Sequence, residues 1–229
     1  MPSLLHSLAA QAYANNTERL EDEFAWVRAR ARHLAARIEA NKEVEEQVPS
    51  GALVEAVLPS DDKVCRLTGM EQALRQRIDG RLEATTGTGQ VLGLERLVAE
   101  YGLDEVERMT LLLCLIPTTG LDLYTTLGEL GSYGFGIGSV SPEMVAVFAD
   151  LDLEGRLRLF KGLGPEGTLA RAGLVRVGWD ADDDLNDFWT ASVFLLPKAW
   201  TVLIGGPGVH EIDLRCPHCT RPTRAVAEA

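Results

Sequence analysis

Lysine is scarce in this chain: it stands only at positions 42, 63, 161 and 198 of 229 residues. The 34 acidic residues outnumber 22 basic ones, for a formal charge of −12. Such a surplus repels nucleic-acid phosphates at long range, so nucleic acid is a disfavoured partner. No run of about 18 apolar residues occurs, and no transmembrane helix is expected. The opening MPSLLHSLAAQAYANN has neither a basic n-region nor a long apolar core, so no secretory signal is expected. Catalytic signatures are missing as well. There is no G-x-S-x-G, no H-E-x-x-H and no Gly-Lys-Ser/Thr. His6 and His33 fall in helical segments away from any cysteine or serine motif, and no acid pair stands apart from solvated helix faces. The chain is therefore read as a non-enzyme. Of four cysteines, Cys65 and Cys114 lie in apolar contexts. They are expected to be reduced core residues in a cytoplasmic compartment.

What is present is mostly helical pattern. Leu103–Pro117, LDEVERMTLLLCLIP, is the most apolar helical run. Asp104 and Glu107 form a capping box at its start, and the following residues leave almost no polar face. A helix apolar all round is buried all round, so this is the expected central core helix. Upstream, Leu20, Phe24, Val27, Ala31, Leu34 and Ile38 are spaced as the seam of a helical hairpin or short coiled coil from Thr17 to about Glu46. Glu18, Glu21, Asp22 and Glu23 fall in its first turns, where the helix dipole favours acids. Arg28, Arg30, Arg32 and Arg37 read as a solvated face. Thr68 with Glu71 predicts a second capping box, opening a helix whose face carries Met70, Leu74, Ile78 and Leu82. TTGTGQ, residues 85–90, reads as a linker and domain boundary.

Beyond it come a helix over Val91–Tyr101 closed by Gly102, the core helix, and a helix over Leu121–Leu130. A glycine cluster follows. Ser141-Pro142-Glu143 is a strong helix start. Leu153–Leu163 is another helix. Leu174–Trp179 and Phe188–Leu195 predict a β-hairpin around an acidic loop, and Pro197 opens a last helix. Short helices followed by a two-stranded hairpin give the order of a winged-helix domain. The expected fold is mainly α, with an N-terminal helical hairpin over 1–84, a winged-helix-like domain with a small β-hairpin over 91–206 and a cysteine-containing tail over 207–229.

LERLVAEYGLDEVERMTLLLCLIPTTGLDLYTTLGEL resembles the region ahead of the ATPase core in bacterial AAA+ ATPases, many encoded with contractile injection systems. The likeness is carried by Glu107, Arg108, Leu111 to Leu113 and Pro117, by Ser141-Pro142, by the closing LLPKAWTVLIG and by the heptad helix around Trp26. It covers roughly residues 17 to 206 and rests on pattern and order. It departs from the family in having no phosphate-binding loop. The resemblance implies the accessory part of such a protein without its motor, with an AAA+ ATPase or an injection-machine component as partner.

Three local patterns invite chemistry. The glycines from 128 to 138 lack a preceding strand and any lysine or arginine, so a loop is favoured over a nucleotide site. Tyr133 and Phe135 within it, with Trp26, are the candidate partner anchors. The acids Asp180, Asp182, Asp183, Asp184 and Asp187 begin like a calcium loop, but Leu185 stands where its glycine belongs and Ala191 where its glutamate belongs. A solvated wing fits better, and its carboxylates oppose phosphate. Cys216-Pro-His-Cys219 is half of a zinc knuckle. His210 and His218, or two ligands from another subunit, are the candidates to complete it, against an ordinary tail without metal; too little chain follows for a thioredoxin fold. The expected function is a non-catalytic adaptor or assembly module without a cofactor. The alternatives are a winged-helix DNA-binding regulator and a zinc-stabilised assembly factor. A basic face on LEGRLRLFKGL, with Arg156, Arg158 and Lys161, would favour DNA.

Overall fold

The computed structural model describes residues 10–47, 62–119, 140–178 and 184–205. The elements, in order, are α1 (Asn16–Gln47), α2 (Asp62–Gly87), α3 (Gly93–Tyr101), α4 (Glu105–Thr119), α5 (Pro142–Phe148), α6 (Leu153–Leu163), α7 (Thr168–Arg171), β1 (Val175–Val177), α8 (Leu185–Thr190), β2 (Val193–Leu195) and α9 (Pro197–Leu203). The protein is mostly helical with one small antiparallel sheet. Among the described residues no helix is long and apolar enough to cross a membrane.

Helix α4 lies where its sequence predicts. Leu111, Leu112, Leu113, Leu115 and Ile116 are fully buried. Its capping box is reciprocal: the Glu107 amide donates to the Asp104 carboxylate at 2.8 Å and the Asp104 amide to Glu107 at 3.0 Å. The helix continues through Pro117 to Thr119. Proline costs one backbone hydrogen bond in a helix interior, and here it falls in the last turn. Around α4 a single apolar cluster takes residues from α1, α2, α3, α5, α6, α7, α9 and both strands. The α1 seam packs as spaced, with Val27 and Ala31 buried and Phe24 and Ile38 half-buried.

Several expectations need correction. Helix α2 starts at Asp62, one and a half turns before Thr68, so Thr68 caps nothing; its hydroxyl donates to the Val64 carbonyl at 2.9 Å. Asp62 stands in its first turn, where the helix dipole favours an acid. The predicted linker begins inside α2, whose last turn includes Thr85, buried at 2%, and Thr86. Cys65 is exposed, and of these two cysteines Cys114 alone is a core thiol. Phe188 and Trp189 belong to α8, not to a strand. Outside the described residues lie the helix expected over 121–130, the glycine cluster with Tyr133 and Phe135, Asp180, Asp182 and Asp183, and the tail with His210, Cys216, His218 and Cys219.

Two glycines fix close approaches. A Cβ on Gly93 would collide with the Val202 carbonyl, so α3 and α9 touch through backbone there. A Cβ on Gly167 would collide with the Gly162 carbonyl and open the turn that leads from α6 to α7.

Candidate functional site

Helices α5 and α6 form a helix–turn–helix. The Ser141 hydroxyl accepts from the Met144 amide at 3.2 Å, and Pro142 occupies the first turn. Helix α5 closes with the Leu151 amide on the Ala146 carbonyl and Asp150 at φ +54. Aspartate is one of the few residues that tolerates that left-handed position. Asp152 then caps α6, accepting from the Gly155 amide at 2.8 Å. The connection is four residues long, so α6 must turn sharply onto α5.

Helix α6 carries two apolar stripes. Leu159 and Leu163 enter the core, while Leu153 and Leu157 are 74% and 53% exposed. Its arginines are engaged by carboxylates. Arg156 donates to both oxygens of Glu143 at 2.6 and 3.1 Å and lies 5.4 Å from the Trp189 ring centre. Arg158 bonds Glu154 one turn earlier. Both guanidiniums are pushed up by these bonds, the hydrogen bond being the first cause in each. Lys161 is exposed.

Strands β1 and β2 pair antiparallel, Arg176 opposite Phe194. The Val193 amide also donates to Val140 at 2.7 Å, so β2 sits between Val140 and β1. The described part of the chain between the strands, residues 184–192, lies against the domain. Helix α8 folds back on α5 and α6, with Phe188 fully buried and 4.7 Å from the Phe160 ring centre. A DNA-gripping wing needs its tip at the phosphates; the described part of this one is packed against the helix–turn–helix.

A family model described as "Winged helix domain, variant" matches residues 1–205. The chain belongs to this winged-helix family. Comparison with curated proteins and with solved structures returns no match. The winged-helix assignment agrees with the order α4, Val140, α5, α6, β1, β2, in which α6 holds the place of the second helix of the motif.

Trp26 does not project. It is 5% exposed, edge-on to Phe148, and forms part of the wall of a cavity of about 330 Å³ with Val106, Met109 and Leu151. Arg30 and Arg75 hold their guanidinium carbons 5.9 and 5.4 Å from its ring centre. Arg75, which also lines this cavity, borders a buried ionic hub that no local sequence pattern marks. Glu23, fully buried, meets Arg19 and Arg108, both nearly buried, and Arg75 lies 3.9 Å from its other oxygen. Arg19 also bonds Glu95 of α3 at 3.0 Å. Burial works against the Arg19 charge, but Glu23 and Glu95 outweigh it and raise the guanidinium. One carboxylate thus ties α1 to α4, with Arg75 of α2 close by.

His33 joins α1 to α2: its Nδ1 lies 2.7 Å from Glu71 and its Nε2 3.1 Å from Thr68 Oγ1. Hydroxyl, imidazole and carboxylate are in line, and the three residues lie within α1 and α2, so these bonds clasp one helix to the other. Among the described residues no group of His, Cys, Asp or Glu could hold a metal ion.

Proposed function

We propose that this winged-helix protein is a non-catalytic adaptor that works by protein–protein contact. The observation that carries the reading is the state of α6: Arg156 is held by both oxygens of Glu143, Arg158 is paired at the surface with Glu154, and Leu153 and Leu157 face solvent. Desolvating apolar side chains favours a protein surface, whereas a DNA backbone requires free cations. The packed α8 and the charge of −12 support the same choice. The partner suggested by the resemblance is an AAA+ ATPase or a component of a contractile injection machine. Co-elution of the full chain with such an ATPase from the same genome, without ATP turnover by the chain alone, is the expected result.

A second reading, a DNA-binding regulator, has one observation in its favour. The second helix of the motif does carry Lys161 and Arg158 on an exposed surface. A gel shift at low and moderate salt separates the two. Tight, salt-sensitive binding of duplex DNA would reverse the ranking.

A further inference from the structure

We propose that a groove on the flank of the α1–α2 hairpin is a docking site for an acidic amphipathic helix of a protein partner. The inference rests on the adaptor reading and gives it a second surface and a partner chemistry. The groove encloses about 440 Å³. Its apolar lining is Ala31, Ala35 and Ala36 of α1 and Leu67 and Met70 of α2. Alanine sets the α1 wall back and leaves room for larger side chains brought from outside. Met70, 48% exposed, is the one large apolar side chain that α2 leaves to solvent among the described residues. From Ala31 to Glu39 the groove follows α1 for about 12 Å. That length takes two turns of a partner helix, with anchors at i, i+4 and i+7.

Charge names the occupant. The arginines of the hairpin fall into two sets. Arg19, Arg30, Arg37, Arg75, Arg77 and Arg81 each meet a carboxylate. Arg28, Arg32 and Arg66 meet none among the described residues. These three lie together. Arg32 and Arg66 line the groove from its two helices, and Arg28 is one turn before Arg32 on the same face of α1. Arg66 donates through Nε to the Asp62 carbonyl at 3.2 Å, which leaves its charge uncompensated. The other rim charges cancel, with Lys63 on Glu39 at 3.0 Å. In a chain of charge −12 this groove is therefore net cationic. Unpaired guanidiniums above an apolar floor complement a helix with apolar anchors flanked by aspartate or glutamate. The floor would supply affinity, and the arginines orientation and salt dependence. Nucleic acid fits less well, since a phosphate backbone gains nothing from alanine, leucine and methionine.

The test titrates the full chain with a labelled leucine–glutamate amphipathic peptide, a matched leucine–lysine peptide and a duplex DNA. The glutamate peptide should bind, weakening as salt is raised, and at least about tenfold more tightly than the lysine peptide. Arg32→Glu and Arg66→Glu should each lower its affinity about tenfold, and Met70→Asn about fivefold. Leu157→Asn, on the exposed stripe of α6, should not change it. The altered side chains are exposed, and unchanged thermal melts would show that the fold is kept. Equal binding of both peptides, no binding of the glutamate peptide, or full affinity in both arginine variants would each overturn the inference while leaving the adaptor reading, which stands on α6, in place. Binding that appears only after Leu53→Asn and Val57→Asn would make residues 52–58 of the same chain the occupant and overturn it too. Binding of duplex DNA in preference to either peptide would remove the adaptor reading itself.

Discussion

The two halves of the core are held together by different physics. Around α4 and the winged-helix elements the interior is aliphatic, with Leu112, Leu113, Leu169 and Leu174 fully buried. Where α1 meets α4, a charged hub replaces part of that packing: Glu23 between Arg19 and Arg108. The apolar half stabilises without regard to geometry. The ionic half holds only if each charge keeps its partner, because a buried ion left alone costs several kcal/mol. The hub leaves little slack. Arg19 Nη1 and Glu23 Oε2 have no hydrogen-bond partner. The difference teaches that the α1–α2 hairpin is seated by specificity as well as by burial.

The largest expected effect breaks the ionic half. Glu23→Ala removes the buried carboxylate shared by Arg19 and Arg108, leaving Arg19 only Glu95 and Arg108 only Glu105, and should cost about 3 kcal/mol in chemical denaturation. Replacing Arg19, Glu23 and Arg108 together by Met, Leu and Met should recover most of that loss. If the triple variant is as unstable as the single one, the hub is not an exchangeable ionic substitute for apolar packing. Next comes the aliphatic half: Leu112→Ala should cost about 2–5 kcal/mol, with no rescue by a neighbouring charge.

Those two sites were unequally legible. Leu112 was marked by an unbroken apolar run behind a capping box, a local signal. Glu23 was not: an acid in the second turn of a helix reads as a complement to the dipole. Its burial is decided by Arg108, 85 residues away. The same limit explains α8. Phe188 and Trp189 form a short aromatic run that fits a strand as well as a buried helix, and contact with Phe160 settles the choice. Thr68 and Glu71 matched a capping pattern that the upstream helix start pre-empted. For α6 the signal lies in the spacing: Leu153 and Leu157 are out of register with Leu159 and Leu163, so one helix carries two apolar stripes, only one of which the core takes.

A third test probes the α3–α9 contact, where packing is by backbone. Gly93→Ala forces a Cβ against the Val202 carbonyl and should cost about 1–3 kcal/mol, read as a lowered melting temperature. A fourth uses alkaline pH. Burial is the first cause that pushes the Tyr13 hydroxyl up to about 12 from its ordinary 10, and the Cys114 thiol likewise to about 12 from 9. A raised folded-state pKa means that the folded state holds its proton longer. Each contribution is fully present below the unfolded value and is lost as pH rises to the folded one. Stability should therefore fall between pH 9 and 12, at roughly 1 kcal/mol per pH unit for each group. Tyr13→Phe should flatten the part above pH 10. Alkylation at neutral pH should label exposed Cys65 and leave Cys114 untouched until unfolding.

The smallest expected effect sharpens the comparison most, because it is made within one helix. Leu157 and Leu159 are two residues apart on α6, 53% and 3% exposed. Leu159→Ala removes packed methyl groups from the core and should destabilise like Leu112→Ala. Leu157→Ala removes methyl groups that already touch water, so stability should stay within about 0.5 kcal/mol. A helix that serves only as a structural wall has no use for that second stripe, since leucine exposed to water gains nothing in the free protein. A large loss of stability at Leu157 would mean that the stripe is covered within the chain itself, and the adaptor reading would lose the exposed leucines that carry it.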